Sequence, residues 1–305
     1  MIRMAWTTAA LSLVAIALVG GTPAASPNFP ARIDFPAGWR AEGVAVGRGS
    51  TFYAGDTTNG AIYAGDLRAG DGSVLVAGKT GGSAFGVFAD NRDRLFVAGG
   101  RTCHAFVYDA GSGALLADYT LTTPTCFIND VTVTNDGAYF TNTNSATSGL
   151  SAVFKIPIAP NGELGTTVDT IPVPFVGGNG IEATPDGKTL VAVSITTGKL
   201  YAIDTATGVS TEIVVDGTLQ RGDGLILQGH TLYYVENLAV GSDVAVVELS
   251  PDFGSGTVVA RLNSTEDPLV NGATADRFGD LIYVVRRQAP APATPILYLT
   301  RLDAH

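Results

Sequence analysis

One short pattern recurs six times along the chain and constrains the fold more than any other feature. Each copy has a polar or turn-like start, a short strand, a tight turn, and a second strand ending in small or polar residues. The copies are EGVAVGRGSTFYAGD from Glu42, FGVFADNRDRLFVAGG from Phe85 and NDVTVTNDGAYFTNT from Asn129, then NGIEATPDGKTLVAVS from Asn179, DGLILQGHTLYYVEN from Asp223 and NGATADRFGDLIYVV from Asn271. Their starts lie about 43 to 50 residues apart, the length of a four-stranded propeller blade. The remainder of each interval supplies two outer strands, as in AFVYDAGSGALLADYTL and KLYAIDTATGVSTEIVV, where apolar residues alternate around an Asp-to-Gly turn. No helical period competes over any long window. The expected fold is all-β: a six-bladed β-propeller with a central metal site, in one domain over residues 26–305.

Composition agrees. The chain has 38 glycines and is 46% hydrophobic but only 15% charged, which favours strands over helices. The net charge is −10 with no Lys/Arg cluster, so nucleic acid is excluded as a partner. Residues 1–25 read as a secretory signal peptide: Arg3 gives the positive start, Ala9 to Val19 the apolar run, and cleavage is expected near Ala24-Ala25. That run is too short for comfortable membrane insertion. The expectation is a secreted, extracellular protein, monomeric because a closed propeller leaves no long sheet edge. Two readings of Cys103 and Cys126 are open: one disulfide, as an oxidising compartment favours, or two buried free thiols.

In a propeller blade the first strand lines the central channel. The six starting residues are Glu42, Phe85, Asn129, Asn179, Asp223 and Asn271. Glu42, Asn129, Asn179 and Asp223 offer side-chain oxygens converging near the axis, a donor set suited to Ca²⁺, with Mg²⁺, Mn²⁺ or Zn²⁺ as replacements. Each dipeptide taken singly, such as Asn129-Asp130, is also an ordinary turn. Turn chemistry gives no reason for Glu42, however, and each repeat carries its own later turn, as at Asn135-Asp136-Gly137.

At these positions the chain resembles the family of regucalcin, gluconolactonase and the luciferin-regenerating enzyme, and more distantly the squid-type fluorophosphatase and the paraoxonases. The resemblance rests on Glu42 in AEGVAV, Asn129 in INDVTV, Asn179 in GNGIEATPDGKTL and Asp223 in GDGLIL. It implies a divalent metal on those four side chains and hydrolysis of lactones or other esters, with Asp223 as the catalytic residue. The ends of the second strands are expected to rim the pocket, offering Asp56, Asn142, Asn144, Ser194, Glu236, Asn237 and Arg286. With Phe85 and Asn271 these give the substrate-pocket set Phe85, Asn144, Ser194, Asn237, Asn271 and Arg286. Phe127 and Phe175 suggest a partly apolar mouth, and His104 is a weak proton-relay candidate. Ser83 and Ser194 lack a histidine partner and a G-x-S-x-G elbow, which excludes a serine hydrolase. Three functions compete on this site: a Ca²⁺-dependent lactonase or esterase, a non-catalytic ligand-binding propeller with a structural Ca²⁺, and a metal-assisted isomerase or cyclase.

Overall fold

A computed structural model describes residues 29–123, 125–143, 151–238, 244–262, 272–287 and 297–303. Among the described residues every regular element is a β-strand, and the arrangement is propeller-like. The strands form antiparallel meanders, each following the order of the chain outward from an innermost strand. The innermost strands are Ala41–Val46, Val87–Ala89, Ile128–Val133, Gly178–Ala183, Gly222–Gln228 and Gly272–Phe278. Neighbours in this series touch, and the last touches the first, so the six form a closed ring.

Among the described residues the sheets number five rather than six. The outermost strands Ser210–Asp216 and Ser255–Leu262 pair in parallel, Val214 with Ser255 through Asp216 with Thr257, and fuse two meanders into one eight-stranded sheet. The last meander takes its outermost strand from the start of the described chain: Arg32–Asp34 pairs with Leu297–Asp303. Joining both ends of the described chain in one sheet closes the ring.

Five innermost strands carry the same irregularity. Register shifts fall between Ala41 and Val44, Ile128 and Val131, Gly178 and Ile181, Gly222 and Leu225, and Gly272 and Ala275. In each, two residues oppose one on the second strand, a β-bulge. The second bulge residue packs on the next innermost strand. A Cβ on Gly43 would stand 2.2 Å from the Phe85 carbonyl oxygen, and one on Gly180 would stand 2.3 Å from that of Asp223. Close backbone approach therefore requires glycine at these two positions.

Between the meanders the core is aliphatic and aromatic, with Phe52, Phe96, Phe140, Phe154, Tyr139 and Tyr234 fully buried. Cys103 and Cys126 form a disulfide with Cα atoms 5.6 Å apart, which settles the open reading of the two cysteines.

Two stability outcomes follow. Gly180→Ala should lower unfolding free energy by about 1–3 kcal/mol through overpacking. Gly111→Ala, whose Cβ would meet nothing nearer than 3.6 Å, should stay within about 0.5 kcal/mol; equal losses in denaturant titration would contradict the close-approach account. Replacing both cysteines by serine, across a sequence separation of 23, should cost about 3 kcal/mol on the loop-entropy model, read as a lower denaturation midpoint.

Candidate metal centre

The first bulge residue of each innermost strand is Glu42, Asn129, Asn179, Asp223 or Ala273. The second meander has no assigned bulge, but counting back from the pair Val87–Val97 puts Phe85 at the same position. The pleat and the bulge thus give Glu42, Asn129, Asn179 and Asp223 one structural position on the ring. The sixth position is Ala273, two residues beyond the expected Asn271. Asn271 and Asn144 lie outside the described residues.

Three of the four polar side chains are buried, Asn129 at 4%, Asn179 at 3% and Asp223 at 3% exposure. Their hydrogen bonds leave oxygen free on purpose-built sides. The Asn129 amide nitrogen donates to Thr143 Oγ1 at 2.8 Å, so its Oδ1 turns the other way and has no partner. Asn237 Nδ2 donates to Asp223 Oδ2, while Asp223 Oδ1 is likewise buried and unpartnered. The Asn179 amide also favours the charged form of the Asp223 carboxyl.

Burial also dominates the electrostatics. Desolvation, followed by the charges of Asp223 and Asp130, pushes Glu42 well above the usual carboxylate range. Asp223 is raised to about 6 by burial, against the lowering effect of its bonds from Asn237 and Asn179 and of the Arg221 charge. Each charged hydrogen bond contributes about 1.5–3 kcal/mol, whereas an uncompensated buried ion costs several kcal/mol. Two amides cannot offset two carboxylates. Two anions, two amide oxygens and unpartnered buried oxygen atoms fit a hard divalent cation. Among the described residues no three His, Cys, Asp or Glu side chains could hold a metal without the amides.

A cavity of about 390 Å³ opens over this position, lined by Glu42, Phe85, Asp223, Asn237, Thr57 and Arg286 among others. The expected pocket residues Phe85, Asn237 and Arg286 are therefore on its wall. Ser194 is not: fully buried, it donates to the Val176 carbonyl at 2.7 Å. It shares a register position with Asp56, Asn142, Glu236 and Arg286. Side chains at this position anchor nearby backbone, as Asn142 does for the Phe127 amide and Glu236 for the Gln220 amide. Phe175 is core, stacked on Tyr201 with centroids 4.3 Å apart. His104 binds Asp118 at 2.5 Å, third strand to fourth, and does not serve the cavity.

Deeper in the channel stand three carboxylates that the repeat alignment missed. Asp130, the second bulge residue of the third innermost strand, accepts from the Ile181 amide and is raised to about 7 by burial. Burial raises Asp276 to about 6, opposed by the Val46 and Arg277 amides, and holds Glu182 well above its ordinary value with help from Asp276 and Asp130. Glu182 and Asp276 occupy one position, immediately after Ile181 and Ala275.

The sequence matches the SMP-30/gluconolactonase/LRE-like region model over residues 41–268. No curated protein sequence matches it significantly. Among solved structures, regucalcin from Agrobacterium tumefaciens, described as a calcium-binding protein, superposes with TM-score 0.63 at 16% identity, covering 91% of this chain and 96% of its own. A gluconolactonase from Xanthomonas campestris gives TM-score 0.59 at 16% identity, over 88% and 87% of the two chains. Virginiamycin B lyase from Staphylococcus aureus gives 0.57 at 13% identity, over 88% and 98%. At these identities the structural likeness shows the fold alone.

The raised carboxylates give a pH dependence. Asp130, Asp223 and Asp276 hold protons in the folded chain up to about 7, 6 and 6, against about 3.9 unfolded. Between about pH 4 and 7 the folded state binds more protons, so stability falls as pH rises. In chelator, the thermal midpoint should be higher near pH 5 than at pH 7.5; a midpoint rising across that window would contradict the burial of these groups.

Proposed function

The chain belongs to the SMP-30/gluconolactonase/LRE-like family, and on that premise we propose that it is an exported, divalent-metal-dependent hydrolase of lactones or related esters. In this reading the ring is the axle of a single six-bladed propeller following the residue-25 cleavage region. Glu42, Asn129, Asn179 and Asp223 would hold the metal, with Ca²⁺ favoured by the all-oxygen donor set. The observation that carries the proposal is the pair of buried, unpartnered oxygens, Asn129 Oδ1 and Asp223 Oδ1, on equivalent residues of the ring, with Asp223 on the wall of an open cavity.

When bound, such a cation polarises an ester carbonyl and neutralises the charge that develops on its oxygen. The chain's own residues do the remainder. Asn237 fixes the Asp223 carboxylate through Oδ2, leaving Oδ1 to take a proton from an attacking water. Thr143 orients Asn129, and its own hydroxyl donates to the Gly178 carbonyl at 2.7 Å, so the amide cannot turn without breaking the contact to the next meander. Arg286 on the wall suits a substrate or product oxygen. Water adds to the acyl carbon, the ring oxygen leaves with a proton, and a hydroxy acid is released. The Cys103–Cys126 disulfide supports export, because such bonds persist in oxidising compartments.

The test is calorimetric Ca²⁺ titration together with hydrolysis of a lactone and aryl-ester panel, with and without chelator. Wild type should bind Ca²⁺ and lose turnover in chelator. Asp223→Ala should lose at least about 100-fold in kcat/KM, the scale of removing a general base, and should also lose the Ca²⁺-induced rise in thermal midpoint. Binding that stabilises the fold without turnover of any ester would instead favour a ligand-binding propeller. A rearranged product formed without hydrolysis would favour an isomerase or cyclase.

A further inference from the structure

The cavity over the candidate metal centre adjoins a second one of about 320 Å³, and Thr57 and Phe85 line both. The second has a different chemistry. The Phe85 and Phe127 rings meet edge to face with centroids 4.6 Å apart, and the Arg101 guanidinium lies 5.2 Å from the Phe127 centroid. Phe85 occupies the ring position equivalent to Glu42, so this aromatic pair separates the candidate metal position from Arg101.

Charge is divided between the two cavities: the first holds both signs, and the second holds an arginine and no acid. The chain carries a net −10, yet among the described lining residues the only acids are Glu42 and Asp223. Arg40 and Arg286 line the first cavity and Arg101 the second. Arg101 and Arg40 are exposed, and no carboxylate among the described residues pairs with either. The aromatic and cationic groups are also held together covalently. Cys103 follows Arg101 by two residues and Cys126 immediately precedes Phe127, so the disulfide ties the two loops that carry them. A prearranged aromatic and guanidinium pair loses little freedom when a ligand arrives.

We propose, resting on the hydrolase reading above, that the substrate is an anionic aryl lactone or ester: its acyl carbon lies over Asp223, its flat ring packs against Phe85 and Phe127, and its carboxylate meets Arg101. Edge-to-face aromatic packing and a guanidinium-to-carboxylate contact are the recognitions these side chains offer. Arg40 adds positive potential at the mouth. The reaction is ordinary hydrolysis: water's oxygen bonds the acyl carbon, the acyl–oxygen bond breaks, the leaving oxygen takes the proton, and no further reactant is needed. Arg101 is a specificity-determining residue here and takes no part in the bond changes.

The test uses two γ-butyrolactones that differ only in a para-carboxylate or a para-carboxamide on a phenyl substituent. With Ca²⁺, wild type should favour the carboxylate by about tenfold or more in kcat/KM, the scale of one charge-assisted contact. Raised salt should reduce the preference. Arg101→Ala should abolish the preference through KM, and Arg101→Lys should retain part of it. Equal turnover in wild type, or a preference that survives Arg101→Ala, would overturn the inference and leave the hydrolase reading standing. If neither lactone is hydrolysed, that reading fails, and calorimetry with the matching aryl cyclopentanones still decides the inference. Tighter binding of the carboxylate, lost in Arg101→Ala, would uphold the anion subsite; equal or absent binding would remove it.

Discussion

The bulge on the innermost strand is the constraint from which the rest of this structure follows. It places two residues where the neighbouring strand has one, so the first turns toward the axis and the second is pressed against the next meander. Both consequences are needed at once. The inward residues collect at one position on the ring, and the outward ones decide whether the ring can close. The Gly86 amide donates to the Asn129 carbonyl at 2.7 Å, Thr141 Oγ1 to the Asn179 carbonyl at 2.7 Å, and Thr274 Oγ1 to the Glu42 carbonyl. In each case the carbonyl belongs to a candidate metal-site residue, so closing the ring and positioning that residue are one act. A site built in this way inherits the rigidity of the whole sheet system, which metal chemistry needs more than loops can supply.

That geometry has an electrostatic consequence. An inward position on a closed ring is poorly solvated, and Glu42 and Asp223 are there together, with Asp130, Glu182 and Asp276 further along the channel. Backbone amides and two asparagines stabilise the charged forms in part. They do not bring these carboxylates back to their ordinary range, and the residual strain is borne by the metal-free fold. A divalent cation would offset repulsion at Glu42 and Asp223, which share one position on the ring with the two asparagines. The loss of stability as pH rises and the proposed metal affinity are therefore two expressions of one arrangement.

Much of this was legible in the sequence because the repeat is local. Hydrophobic alternation and turn dipeptides recur in every copy, so the meanders and the shared position of Glu42, Phe85, Asn129, Asn179 and Asp223 can be read by alignment. The sixth copy misled for an identifiable reason. Asn271-Gly272 imitates Asn179-Gly180, whereas the true register counts back two residues from the first inward-packing apolar side chain after the bulge. That residue is Val44, Val87, Val131, Ile181 or Leu225 in five copies, but Ala275 in the sixth, too small to announce itself. The parallel pairing of residues 214–216 with 255–257 joins outer edges distant in sequence and leaves no local pattern. Phe175 carried no periodic signal either, so whether it faced the mouth or the core was decided only by Tyr201.

The two ends of the channel also differ in what they can become. At the far end the meander turns crowd together around Thr134, Pro185 and Gly187, and Glu182 stands in a cavity of about 320 Å³ among them. Tight turns fix that mouth through their own hydrogen bonds, such as Thr134 to Asp136 at 2.5 Å and Thr184 to Asp186 at 2.7 Å, leaving little length for new side chains. At the bulge end innermost strands are entered from longer connections, which bring Arg40, Ser83 and Phe127 to the cavity walls, while the turn between the second and third strands of the second meander brings Arg101. Loop length at that end is free to vary because the bulge, rather than the loop, sets the first inward residue. Chemistry fixed by the sheet and selectivity carried by the loops can then change independently, and the disulfide at Cys103 and Cys126 acts on the second without touching the first.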